Sequence, residues 1–350
     1  MDSDLDIARA TEPMNIEEVA KQLGLASSDL IFHGPHIAKV SWRALSSGLV
    51  NKKGKLILVT SVNPTPYGEG KTVTTIGLNQ GLNHRGHNAC CVIREPSLGP
   101  VFGIKGGAAG GGYSQVIPME QINLHFTGDL HAITSAHNLC SAILDNHLHR
   151  GNELGIDTNR IFWPRVIDMN DRTLRQVSIG LGGPATGVTR SERFDITAAS
   201  EVMAILSLSK SYEDLRERLG RIIVAESNSG TPVTAEEIGA AGSMALLLRE
   251  AMLPNLVQTL EGNPAFVHCG PFANIAHGNS SIIADELALS RSDYVVTEAG
   301  FGAEMGEKAL HIKALASGIS PSCIVLNVTV RSMKLHGGGV AGGGLSLIHI

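Results

Sequence analysis

One short stretch constrains this chain more than any other: an apolar, β-rich run over residues 56–60 that leads into Thr65-Pro66-Tyr67-Gly68-Glu69-Gly70-Lys71-Thr72 and then into a helix-compatible segment with Val73, Ile76 and Leu82 on one side. Strand, glycine turn and helix in that order make a phosphate-binding loop. The glycines let backbone N–H groups turn toward phosphate oxygens, and the lysine neutralises β/γ charge. The threonine hydroxyl is placed for Mg²⁺, and the helix N-terminus adds its own donors. The candidate nucleotide-contacting residues are therefore Thr65, Pro66, Tyr67, Gly68, Glu69, Gly70, Lys71 and Thr72, with Thr72 also the candidate metal contact through the nucleotide. Thr65 stands where the first glycine of the common pattern would be, so the entry into this loop takes its own path.

Further apolar runs at 89–93, 222–225, 265–267, 294–297 and 324–330 end in glycine-rich or polar turns, with helical stretches between them. This alternation predicts an α/β fold with a doubly wound, mostly parallel sheet of the P-loop NTPase-like kind. A helix is expected over 16–23. Residues 1–150 and 263–344 are expected to make the nucleotide-binding domain, and 151–262 an inserted or second α/β domain. Ligands of such sheets gather beyond the carboxyl ends of the strands, which points to residues 64–72, 94–99, 268–278 and 298–302.

The second of these strand ends carries Arg94-Glu95-Pro96-Ser97-Leu98-Gly99-Pro100, followed by Lys105 and a glycine cluster up to Tyr113. An arginine fork, a lysine charge and bare backbone donors suit a second anion site for a carboxylate or an acyl phosphate, although an Arg-Glu pair at a strand end is also a common structural ion pair. Beyond the cluster come His125, Asp129, His131, His137, His147 and His149. Their spacings match neither a helical i,i+4 ligand pair nor a zinc-finger pattern, so His125 and Asp129 are better candidates for polar site residues than for metal ligands.

Composition narrows the partners. With 33 acidic against 28 basic residues the net charge is -5, and no basic stripe could track a nucleic acid backbone. Five cysteines without CxxC spacing read as buried free thiols of a reducing compartment. The acidic start Met1-Asp2-Ser3-Asp4-Leu5-Asp6 lacks the pattern of a signal peptide, and no apolar run reaches membrane-spanning length, so a cytoplasmic protein without membrane contact is expected. Residues 345–350 match an in-frame translation of a transposase adaptor used in sequencing libraries. They read as a non-native tail, with the natural sequence cut near Gly344.

The residues at 65–72, 94–113, 123–129, 165–172, 196–204, 254–261, 270–278 and 297–302 resemble formate-tetrahydrofolate ligase, also called 10-formyltetrahydrofolate synthetase, over essentially 7–344. The resemblance implies an ATP-dependent ligase that makes formyl phosphate from formate and passes the formyl group to N10 of tetrahydrofolate. Lys71 and Thr72 would hold the β/γ-phosphates and Mg²⁺, and Arg94 would grip formate and then formyl phosphate. Glu95, His125 or Asp129 would assist N10, and Phe272 would contact folate. The resemblance also implies a homo-oligomer, a tetramer, activated by a monovalent cation. Two departures stand out: the segment 307–311 lacks the aromatic residues expected after its lysine, and the family continues well past Gly344 into a part that supplies much of the pteridine pocket. This chain is accordingly expected to keep ATP binding and to bind folate weakly or not at all. Two other readings predict different behaviour. A P-loop switch module would bind nucleotide without any response to formate. Another P-loop carboxylate ligase, of a biotin-pathway type, would keep Lys71 without needing the 94–100 and 270–278 stretches together.

Overall fold

Val, Ile and Leu side chains that alternate between two covered faces build the centre of the computed structural model, which describes residues 2–48, 54–103 and 109–338. The central strands are β1 (Lys55–Ser61), β2 (Ala89–Ile93), β3 (Asn255–Thr259), β4 (Pro264–Val267), β5 (Tyr294–Glu298) and β6 (Cys323–Asn327). They lie side by side in the order β3-β4-β2-β5-β1-β6. From β4 to β6 every pairing is parallel, and β3 runs antiparallel to β4. Beyond β3 the sheet continues through Ala38–Val40 to Leu30–Phe32, both antiparallel to their neighbours.

Two apolar clusters show how the sheet is covered. Leu56, Cys90, Val92 and Val295 point into one, together with Ile283 and Leu287 of the helix Ile282–Arg291. Their strand neighbours Ile57, Cys91, Ile93 and Val296 point into the other, where Ile76 of the helix α1 (Lys71–His84) meets them. The period of two along each strand thus feeds two helical layers, as a parallel sheet requires. Ile76 packs as its spacing predicts, whereas Val73 is exposed.

The expected strands at 56–60, 89–93, 265–267 and 294–297 all lie in the parallel sheet, with ends shifted by at most one residue. The run at 222–225 does not. It becomes Ile223–Ser227, which pairs antiparallel with Ile156–Ile161 and Pro232–Thr234 in a separate small sheet. An apolar run reports burial and leaves the choice of sheet to its partners. The run at 324–330 also ends early, because the Thr329 hydroxyl accepts the Ser332 N–H at 3.1 Å and caps a new helix, Val330–His336. The helix expected at 16–23 is Ile16–Gln22.

Of the segment 151–262, Asn255–Thr259 belongs to the main sheet. Helices Glu201–Leu208, Tyr212–Gly220 and Ala241–Leu247 add Met203, Leu219 and Met244 to the same apolar cluster that holds Leu256 and Phe266. Lys105, the cluster residues as far as Ala108, and the tail at 345–350 lie outside the described residues. No helix among the described residues is long and apolar enough to cross a membrane. Cys90, Cys91, Cys140 and Cys269 are buried free thiols, and Cys323 is an exposed one.

Candidate active site

The loop after β1 is set by Gly70, whose φ of 71° places it in the left-handed region immediately before the first residue of α1. That conformation, cheap only for glycine, sets the turn from the loop into the helix, whose first N–H groups lack intrahelical acceptors. Glu69 closes the loop on itself. One of its oxygens accepts the Thr65 N–H at 2.7 Å and the other accepts the Thr329 hydroxyl. Burial raises the Glu69 carboxyl, but these hydrogen bonds and the Lys71 charge outweigh it and hold the group below the usual carboxylate range.

Lys71 extends across the loop and donates to Phe301 O at 2.8 Å and to Ser61 Oγ at 3.1 Å. Both are neutral acceptors that a phosphate oxygen could outcompete for a cation. Thr72 Oγ1 donates to Glu298 Oε2 at 2.7 Å. Glu298, at the carboxyl end of β5, is held from behind by Asn279, whose amide donates to its backbone oxygen at 2.5 Å.

After β2, Arg94 Nη2 stands 3.9 Å from Glu298 Oε1, and Nη1 donates to Pro271 O at 3.4 Å. Its Nε is buried with no hydrogen-bond partner. Glu95 Oε2 is likewise buried and unpartnered. Burial, and then the nearby Asp129 charge, push the Glu95 carboxyl well above the usual carboxylate range. Ser97 and the Leu98 N–H both bind the Asp168 carboxylate, at 2.6 and 3.1 Å, which pins the turn.

A cavity of about 440 Å³ joins four strand ends. The loop lines it from Thr65 to Thr72 except at Pro66; Arg94 and Glu95 come from β2, Gly270 and half-buried Phe272 from β4, and Glu298 and Phe301 from β5. Lys71, Thr72, Arg94, Glu95 and Phe272 are therefore brought to one space. His125 and Asp129 are not among its lining residues. His125 is exposed in the turn ahead of the helix α2 (Asp129–His149). Asp129 is buried in an ion pair with Lys39 and also accepts from Asn255. No cluster of three or more His, Cys, Asp or Glu fit for a metal gathers among the described residues.

Three contributors carry no role in the sequence reading: Glu298, Phe301 and Asp168. Glu298 and Phe301 lie in the 298–302 strand end that the sheet rule singled out, yet an apolar run followed by Glu does not say which neighbour the carboxylate will meet. Phe301 acts through its carbonyl, at a left-handed φ of 60° that the residue type does not advertise. For Asp168 the sequence pattern offers only its place in the 165–172 stretch.

A family model described as "Formate--tetrahydrofolate ligase" matches residues 2–346. Among curated proteins, the formate-tetrahydrofolate ligase of Mesorhizobium japonicum is 58% identical over 337 residues, 96% of this chain and 60% of the relative. That of Roseiflexus castenholzii is 58% identical over 339 residues, 97% of this chain and 60% of the relative. That of Paracoccus denitrificans is 57% identical over 339 residues, 97% of this chain and 61% of the relative. The chain thus spans about 60% of the length of the curated relatives it matches. Because the match runs through all four strand ends that line the cavity, from the loop at 65–72 to the turn at 298–301, this chain belongs to the formate-tetrahydrofolate ligase family.

Proposed function

We propose that this chain carries the nucleotide and formate sites of an ATP-dependent ligase that joins formate to tetrahydrofolate through formyl phosphate. The observation that carries the reading is the single cavity shared by Lys71, Thr72 and Arg94. In this reading the fold is a P-loop NTPase-like α/β core, with much of 151–254 as an added unit beside it.

A formate oxygen attacks the γ-phosphorus of ATP, the bond to the β-phosphate bridging oxygen breaks, and ADP leaves. N10 of tetrahydrofolate then attacks the formyl carbon, phosphate leaves, N10 loses its proton, and 10-formyltetrahydrofolate results. Formate is a weak nucleophile, so positioning and charge neutralisation carry most of the rate. The loop N–H groups and Lys71 bind the phosphates, and Arg94 orients the formate carboxylate and then the acyl phosphate. Lifted toward its neutral form, the Glu95 carboxyl can sit beside the anionic acceptor without repelling it. Phe272 is proposed as the apolar wall for folate. Because His125 and Asp129 lie off the lining, Glu95 is favoured over them as the group that assists at N10, where its neutral carboxyl would donate a hydrogen bond to the acyl phosphate rather than take a proton.

The residues at hand suit Mg²⁺. The Thr72 hydroxyl and the Glu298 carboxylate are hard oxygen donors, and a site of one carboxylate plus phosphate oxygens is how this ion is usually held. When bound, it draws charge from the phosphates and so makes the leaving group better.

The test is ADP release with and without formate, in the presence of ATP, Mg²⁺ and tetrahydrofolate, repeated for Lys71→Ala and Arg94→Ala. ADP release that ignores formate would overturn the ligase reading.

A further inference from the structure

The Glu298 carboxylate reaches both functional ends of the cavity. Oε2 takes the Thr72 hydroxyl at 2.7 Å on the nucleotide side. Oε1 stands 3.9 Å from Arg94 Nη2 on the acceptor side. The carboxylate is nearly buried, with a side chain 5% exposed against 24% for Arg94. It is also held in place, since Asn279 fixes its backbone oxygen and Lys313 of the helix α3 (Ala303–Ser317) secures the Asn279 turn by donating to Ser280 O at 2.7 Å and pairing with Asp285 at 2.6 Å.

We propose that Glu298 is a positioning residue that couples the two sites, making the grip of Arg94 on formate depend on the metal-bound nucleotide at Thr72. This proposal rests on the ligase reading above. Without nucleotide, the Glu298 charge is shared between the Thr72 hydroxyl and Arg94, and it offsets part of the guanidinium charge that an incoming anion would meet. Water screens this offset only in part, because the carboxylate is nearly buried. Metal and γ-phosphate at Thr72 add a divalent cation that competes with Arg94 for the same carboxylate. The guanidinium, which is partly exposed on the cavity lining, is then freer to bind an anion. The result is an order of events suited to the chemistry: the acceptor is held firmly only when the phosphoryl donor is in place.

Coupling between sites is reciprocal, so formate must strengthen nucleotide binding by the same factor that nucleotide strengthens formate binding. The experiment is calorimetric titration of the whole 350-residue chain with β,γ-imido-ATP, with and without saturating sodium formate, in Mg²⁺ and in EDTA, with sodium chloride matching ionic strength. Formate is expected to tighten nucleotide binding about tenfold, within the usual range of such couplings, and only when Mg²⁺ is present. In Glu298→Gln, nucleotide is expected to bind still, but with the formate effect reduced to about twofold or less. Glu298→Asp retains the charge but not the reach, and is expected to lose the effect likewise. It serves as the second variant if the amide does not fold. An unchanged, Mg²⁺-dependent formate effect in the folded variants would overturn the coupling and leave the ligase reading intact. A wild-type chain that binds no nucleotide would overturn the ligase reading itself, and one that binds nucleotide with no formate effect would overturn the coupling.

Discussion

The Lys39 ammonium lies 2.7 Å from the Asp129 carboxylate, with both side chains almost wholly withdrawn from water. The pair ties the strand Ala38–Val40 to the start of α2, and Asn255 of β3 donates to the same carboxylate at 2.8 Å. Breaking such a pair from one side leaves a buried charge uncompensated, which costs about 3–5 kcal/mol. Asp129→Asn and Lys39→Met are each expected to lower the unfolding free energy by that amount, read from urea denaturation, while nucleotide affinity of the folded fraction stays unchanged. A variant with the wild-type midpoint but no formate-dependent ADP release would instead make Asp129 a catalytic group.

Lys71 donates to the Phe301 carbonyl and the Ser61 hydroxyl, two neutral acceptors at the edge of the cavity. Lys71→Met is expected to weaken nucleotide binding roughly 10- to 150-fold, the range of a hydrogen bond to a charged partner. Calorimetry gives the affinity, and a cooperative urea transition in the variant shows that the loss is one of binding rather than of folding.

Gly300 passes directly against the arginine. A Cβ there would sit 3.0 Å from Arg94 Nη1 and 3.1 Å from Ala273 Cβ, and the guanidinium is the group able to move. Gly300→Ala is therefore expected to raise the KM for formate about five- to tenfold, as for one displaced hydrogen bond, with nucleotide affinity unaltered. An equal loss for both ligands would mean that the whole strand end had shifted.

Three buried imidazoles set the acid limb of stability. Burial lowers His137 and His268 to about 4. Burial and then the Lys313 charge lower His277 to about 3. His137 and His268 share an arrangement that favours the neutral ring: Nε2 faces a backbone carbonyl, and Nδ1 faces the serine that caps a helix, Ser200 or Ser281. Unfolded imidazole titrates near 6.5, so as pH falls below that value the unfolded chain takes up protons first. Stability is full above about pH 6.5 and is lost toward pH 4, by about 2 kcal/mol per histidine at pH 5. Glu95, raised by burial, works in the opposite sense, favouring the folded chain at low pH and losing that contribution as pH rises. The urea midpoint at pH 7.5 and at pH 5 tests this, and a flat profile would refute the neutral assignments.

Much of the candidate site was legible because its signals are local. The loop at 65–72 declares itself through adjacent residues, and the rule that ligands gather at the carboxyl ends of parallel strands pointed to 94–99, 268–278 and 298–302 before any distance was known. His125 and Asp129 fell outside this logic. They follow the glycine cluster in the chain, but Asp129 begins a helix whose first turn is covered by Lys39, a partner 90 positions away. The run at 222–225 had the right residues for a central strand and found antiparallel partners elsewhere.

By itself, then, the sequence determined the strand-loop-helix unit, the apolar alternation that feeds two helical layers, and the stretches at the strand ends that line the cavity. Those are properties of φ/ψ preference and of burial period, and they act over a few residues. Only the tertiary structure decided that Glu298 meets Thr72 across 226 positions, that Asp129 is spent on Lys39, and that Arg94 keeps an unpaired nitrogen. A charged side chain takes its function from the partner it meets and from how far water is excluded, and both are set by packing between distant segments.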